Sequence, residues 1–444
     1  MEKIIKIPCG EIKGTDCRLD GVIAFKGIRY ATAGRWEYPT QVTEWEGIYD
    51  ATSYGNCCYQ PRSFYNEEEN LKKIFYYNEF RKGESYNYSE DCLFLNVWVP
   101  EDATPQSKLP VIVYIHGGGY TGGCGHEKHF DDPIWPTRGV IAVTINYRLG
   151  PLGFFCLPEL TEEAGHCGNY GLFDQLVAIK WVRDNVAAFG GDKERITIMG
   201  QSAGAMSVQQ LCTSPLTDGM FCGAVMSSGC GMGSMLMSTP EKVYPFWSEV
   251  MKRLGCLNLE QLRRVPPERL FAEWQKAKCE VKGGVMSTCP VKDGCFVVEG
   301  SLPKQMPYII GSNSHDMAPP ILYSLGKKWG KGRLDKRYVY HFDRMLPGDK
   351  NGAWHSADLW YWFGTLPRCW RPMEQKDYDL SAQMTTYLCN FAKNGDPNGE
   401  NQPEWTTQKK SKKVMCFGEE RTGMRNPSVA RLVGIMLTNK SVGE

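Results

Sequence analysis

The chain has no long apolar run, no excess of charge of either sign and no repeated or low-complexity tract. Nothing in it approaches the roughly 18 consecutive apolar residues of a membrane span, so no membrane partner is expected. With 51 Lys+Arg against 50 Asp+Glu the formal charge is +1, which leaves no electrostatic footprint for nucleic acid or an anionic surface. The opening MEKIIKIPCGEIKG sets Lys3 and Lys6 inside its apolar stretch and lacks an h-region. It does not read as a signal peptide, and a cytoplasmic location is expected. No flexible linker divides the 444 residues, so 1–444 is expected to form one domain, with roughly 232–300 and parts of 320–390 as a helical lobe. Histidine is also scarce, at 7 residues, which shortens any search for a catalytic base.

Cysteine is plentiful, at 18 residues, but shows no regular spacing, and a chain this long needs no disulfide staples. Mostly free thiols are expected. Cys124, His126 and His129 in CGHEKH, followed by Asp131 and Asp132, match none of the common zinc spacings. That stretch reads as an ordinary loop, and neither a metal nor a cofactor is expected.

What the chain does have is a series of short apolar segments: 93–99, 111–116, 140–147, 196–199, 224–227 and 308–311. Helical patterns separate several of them, most clearly 171–188, where Leu172, Leu176, Ile179, Val182 and Val186 recur at helical spacing. Continuous apolar strands alternating with helices predict a large, mostly parallel α/β sheet covered on both faces. Asp20-Gly21 between apolar segments adds a hairpin near the start. From 59 to 88 the chain is aromatic without periodicity and predicts an excursion that either borders a binding site or is pinned to the body.

The organising stretch is RITIMGQSAGAMS, Arg195 to Ser207. It reads as a strand, a Gly-x-Ser-x-Gly turn and a helix, the context of a nucleophile elbow with Ser202 at its tip. A serine hydroxyl needs a base to take its proton, an acid to orient that base, and donors for the oxyanion that follows attack. VIVYIHGGGY, from Val111 to Tyr120, supplies a buried strand running into three glycines that can aim N–H groups at such an oxyanion.

With these segments, FKGIRYA at Phe25, SEDCLFLNVWVP at Ser89, NYRLGPLGF at Asn146, GNYGLFDQLVAIKWV at Gly168 and FAKNGDPN at Phe391, the chain resembles type B carboxylesterases, the cholinesterase-like branch of the α/β-hydrolase fold. The resemblance implies a helical lobe over the active site, Ser202 as nucleophile, and Gly118, Gly119 and Ala203 as oxyanion donors. It implies His355, in GAWHSADLWYWFG, as the base, while His341 in YVYHFDR reads as a structural strand residue. It implies Asp316 as the acid. There the pattern departs twice, with His315 for the usual aspartate and Asp316 for the usual glutamate, so a side chain one methylene shorter must be compensated by a loop closer to His355. Asp293, Arg148 with Asp174, and Glu90 match structural positions.

Gln201 stands where cholinesterases have glutamate, so an uncharged ester is expected. Tyr120 and Trp360 are candidate pocket walls, with core packing equally open. Cys58 and Cys92 match a disulfide of extracellular relatives, which would close 59–91 into a loop. The chain is shorter than many such proteins, which predicts a more open pocket. The expected function is hydrolysis of neutral, short-to-medium or aromatic esters through an acyl-enzyme, its rate rising with pH through a group near about 6 to 7. A non-catalytic binding protein, or a thioesterase, amidase or lipase on the same fold, stays open, as does oligomeric state.

Overall fold

The computed structural model describes residues 2–71 and 73–438. Its centre is explained by the run VIVYI, Val111 to Ile115, every member of which is fully buried. A strand with helices on both faces needs such a composition, whereas a strand with one wet face alternates. Alternate side chains still serve different sides: Val111, Val113 and Ile115 join one apolar cluster, Ile112 and Tyr114 the other, as the two-residue period of a strand requires. Helix Tyr170–Asn185 gives Leu172, Ile179 and Val182 to the first cluster, and helix Gln375–Asn394 gives Met384, Leu388 and Phe391 to the second. Each such aliphatic or aromatic side chain contributes about 1.5–3 kcal/mol on full burial.

Among the described residues thirteen strands form one sheet. They are β1 (Glu2–Ile7), β2 (Gly10–Asp16), β3 (Val22–Arg29), β4 (Ile48–Asp50), β5 (Phe94–Pro100), β6 (Leu109–Ile115), β7 (Ile141–Ile145), β8 (Gly191–Gln201), β9 (Gly223–Ser227), β10 (Tyr308–Asn313), β11 (Arg337–Asp343), β12 (Val414–Gly418) and β13 (Thr422–Arg425). Their order is β1-β2-β3-β5-β7-β6-β8-β9-β10-β11-β12-β13, with β4 beside β2. From β7 through β12 the pairing is parallel, and both flanks are antiparallel apart from β4, which runs parallel to β2. The expected hairpin is β2 and β3, paired Thr15 to Ala24.

β6 has β7 on one side and β8 on the other, so the chain leaves it first one way and then the other. Such a switch opens a crevice at the carboxyl ends of the strands. The register sets Ile115 of β6 opposite Gly200 of β8, which brings the glycine loop after β6 beside the turn after β8. Residues 232–300 are helical in large part, with Pro240–Arg253 and Pro267–Glu280 burying Trp247, Phe271 and Trp274 in the first cluster. The aromatic excursion contains helix Ile74–Phe80. Its ends are joined by parallel pairing of Cys57–Cys58 with Tyr88–Ser89, while Cys58 and Cys92 are both buried thiols. No helix among the described residues is long and apolar enough to cross a membrane.

Candidate active site

β8 ends at Gln201 and the next helix begins at Ala203, so Ser202 alone makes the turn. Its φ of 56° and ψ of −126° lie where L residues are seldom found, at a cost of roughly 1–3 kcal/mol. The surrounding chain holds it there: Ser202 N–H donates to Ser227 O at 2.9 Å. A Cβ on Gly200 would meet Gly204 O at 2.3 Å, and one on Gly204 would meet Ile115 O at 2.1 Å. Those two clashes are why the motif needs its glycines.

The loop after β6 packs directly on this turn, since a Cβ on Gly117 would lie 2.7 Å from Gln201 O. Gly118 has φ 102° and Gly119 φ 62°, and Gly118 O accepts from the N–H groups of Thr121 and Gly122, both at 3.0 Å. This folds the loop so that the N–H groups of Gly118 and Gly119 have no intramolecular partner among the described residues. Ala203 opens helix Ala203–Thr213, where the first N–H groups also lack helical acceptors.

The loops that carry Asp316 and His355 are joined through the backbone. His315 N–H donates to Ala353 O at 3.0 Å, in an isolated bridge between His315 and Trp354, and Asp316 and His355 follow directly. Asp316 Oδ1 accepts from His355 Nδ1. Its other oxygen accepts from Ser228 Oγ at 2.6 Å and from Asn313 N–H at 3.1 Å. The backbone pairing thus sets the aspartate within reach of the imidazole. Burial pulls His355 down, but the carboxylates of Asp316 and Asp358 outweigh it and hold His355 above its ordinary value. His355 Nε2 has no hydrogen-bond partner among the described residues.

Behind the pair sits a brace that the sequence reading passed over. Asp358 is fully buried and accepts from Tyr340 OH at 2.7 Å, Ser227 Oγ at 2.8 Å, Asn313 Nδ2 at 3.1 Å and Trp362 Nε1 at 3.2 Å. Burial raises its carboxyl above the ordinary value, against the pull of these donors. Gln201 Nε2 donates to His355 O at 2.8 Å, so this residue holds the His355 loop to the Ser202 turn. The only signal in the sequence was the position of Asp358, three residues past His355.

Ser202, His355 and Gly117 to Gly119 border one cavity of about 410 Å³. Its outer wall comes from 60–81, with Tyr65, Tyr76 and Phe80, and no residue of 232–300 lines it. In that wall Arg62 and Arg81 share Glu127 at 2.7 and 3.1 Å, and Arg81 also holds Glu67 at 2.7 Å. The four charges cancel, leaving Lys73 at the exposed rim. Tyr120 and Trp360 are not part of the lining. Tyr120 is buried against Phe154, with centroids 4.9 Å apart. Trp360 is fully buried one residue along the helix from Leu359, which takes the wall position, because successive helical residues face different directions.

The remaining candidates are divided by the fold. His341 lies within β11, and Arg148 holds Asp174 at 2.7 Å in a buried pair. His129 stacks on Phe80 at 3.8 Å, while Cys124 and His126 turn toward Cys57. Burial drives His126 and His129 down to about 4 and about 3.

The Carboxylesterase family matches residues 1–337 and 328–432, and the chain belongs to it. Fold and family together make it a carboxylic ester hydrolase. It is 41% identical over 232 residues to the para-nitrobenzyl esterase of Bacillus subtilis (strain 168), a match spanning 51% of this chain and 44% of that protein. To the bile salt-activated lipase of Mus musculus it is 38% identical over 501 residues, spanning 89% of this chain and 79% of that one. Among solved structures, a PNB esterase superposes with a TM-score of 0.80 at 26% identity, covering 98% of this chain and 99% of the other. An esterase from anaerobic Clostridium hathewayi that can hydrolyze aliphatic aromatic polyesters gives 0.81 at 25% identity, covering 98% of each.

Proposed function

We propose that the protein is a serine esterase that cleaves neutral esters, with short-to-medium or aromatic groups, through an acyl-enzyme. The observation that carries this reading is the meeting of Ser202, the Asp316-bonded His355 and the unpartnered glycine N–H groups at one cavity. Asp316 accepts a hydrogen bond from Nδ1–H, which keeps the proton on Nδ1 and leaves Nε2 as the basic nitrogen. Nε2 accepts the Ser202 proton as Oγ attacks the ester carbonyl. The N–H groups of Gly118, Gly119 and Ala203 receive the negative charge that develops on its oxygen, each such donor supplying about 2.7–4 kcal/mol. His355 then protonates the leaving alcohol, and water repeats the cycle to free the acid.

Neutral substrates suit Gln201 beside the nucleophile and the paired charges of the wall. The many buried thiols suit a reducing, cytoplasmic setting. The test is labelling by a fluorophosphonate probe together with turnover of p-nitrophenyl esters of increasing acyl length. Ser202→Ala is expected to abolish labelling and lower kcat roughly a million-fold. Equal labelling of both proteins, or no turnover of any ester by the unmutated one, would refute the mechanism.

A further inference from the structure

Cys57 lies on a short strand at the entry to the aromatic excursion, and Cys124 and His126 lie two apart on the loop that follows the oxyanion glycines. The fold brings these distant stretches together. Their ligand atoms all fall within 4.8 Å of one another, and all three residues are buried. Cys57 Sγ is 3.5 Å from His126 Nε2. A tetrahedral zinc(II) with Zn–S near 2.3 Å and Zn–N near 2.0–2.1 Å requires that same spacing, about 3.5–3.6 Å. We propose that Cys57, Cys124 and His126 form a binding site for a thiophilic divalent ion of the zinc(II) class.

Charge favours this occupant. Two thiolates alone would be costly in a buried place, whereas two thiolates with one divalent ion make a neutral centre. On binding, two S–H bonds break, two S–metal bonds and one N–metal bond form, and two protons leave to solvent. The His126 ring is fixed by Tyr54, stacked at 4.4 Å and 6°. Beside it, the Tyr86 hydroxyl is buried with no hydrogen-bond partner among the described residues, and its ring lies 5.5 Å from that of His126.

The ion would act as a clasp and take no part in ester chemistry. Gly123, just before Cys124, donates to Gln60 Oε1 at 2.8 Å, and its carbonyl accepts from Gln60 Nε2 at 3.1 Å. That clasp already ties the loop bearing the oxyanion donors to the start of the cavity wall, and the ion would lock the same junction.

The full chain is purified under reducing, anaerobic conditions and titrated with zinc(II) and with cobalt(II). About one equivalent is expected to bind, and the cobalt form is expected to show sulfur-to-metal charge-transfer absorption in the near ultraviolet. Cys57→Ser, Cys124→Ser and His126→Ala should each weaken or abolish the band, while Cys222→Ser, at an exposed thiol, should leave it intact. Zinc-edge X-ray absorption on the unmutated protein reads the site even if a variant fails to fold, and should find two sulfurs near 2.3 Å. The proposal is overturned by a folded protein that gives no thiolate band, by a zinc shell of nitrogen and oxygen alone, by a band that survives loss of both cysteines, or by a Cys57–Cys124 disulfide in the anaerobic preparation.

Discussion

The floor and the outer wall of the cavity are built by different physics. The floor is backbone: Ser202 in its strained turn, the glycine loop after β6, and the His315–Trp354 bridge that sets Asp316 against His355. The wall is side-chain packing: Tyr65, Tyr76 and Phe80 from an irregular excursion held by aromatic contacts and by Arg62, Arg81, Glu67 and Glu127. A floor of this kind tolerates few substitutions, because a single added Cβ meets backbone atoms at 2.1–2.3 Å at Gly118, Gly200 and Gly204. A wall of this kind can be recut. Changes to the floor should therefore reduce kcat for every ester alike, and changes to the wall should redistribute preference among esters.

The largest effect that tests this contrast, beyond loss of Ser202 itself, is Asp316→Asn. The amide cannot compensate an imidazolium and favours the wrong tautomer, so kcat should fall about 10⁴-fold with the acyl-length profile unchanged in shape. Full activity in this variant would move the acid elsewhere and leave the floor incomplete. Next is Gly118→Ala, whose Cβ would lie 2.1 Å from Gly122 O at φ 102°. The loop must shift, its N–H groups lose their aim, and kcat should drop about 10²–10³-fold with KM nearly constant. A large rise in KM with kcat intact would show that the loop binds substrate instead of stabilising charge.

This division also explains what could be read before the fold was known. The elbow and the glycine loop leave marks in the sequence because only glycine survives their geometry. For His355 and Asp316 chain order only narrowed the candidates and the family resemblance singled out the two, which the fold brings into hydrogen-bond contact. Tyr120 and Trp360 could not be assigned, since an aromatic beside a catalytic segment has the same signature whether it faces the cavity or the core; packing sent both inward and gave the wall position to Leu359. The parallel strands were legible from their apolar runs, whereas helix Ile74–Phe80 has little periodicity to announce it. Ser227, Ser228 and Asn313 carry no local sign of their roles, because those roles exist only where β9, β10 and the His355 loop converge.

In the wall, Tyr76 packs edge-on to Trp354 with centroids 6.1 Å apart and borders the cavity. Tyr76→Ala should leave the rate of the best ester within a few-fold and shift the ratio of kcat/KM between bulky and small acyl chains about ten-fold toward the bulky. A uniform loss across the ester series would instead make this residue part of the floor.

The smallest expected effect lies in the brace, where floor and wall residues are both untouched. With neutral His355 as the proposed base, kcat/KM should rise with pH as the imidazolium loses its proton. Because Asp316 and Asp358 outweigh burial and raise the pKa of His355, that limb should lie above the ordinary histidine value of about 6.5. Asp358→Asn removes one of the two charges that favour the protonated form. The imidazolium is then less stabilised, its pKa falls, and the limb should move toward lower pH. The alkaline plateau should change little, since Asp358 touches neither substrate nor Ser202, and an unchanged thermal midpoint would separate this from damage to the Tyr340, Ser227 and Asn313 hydrogen bonds. If instead the plateau collapses while the limb stays in place, Asp358 acts by positioning the loop that carries His355, and its charge is incidental.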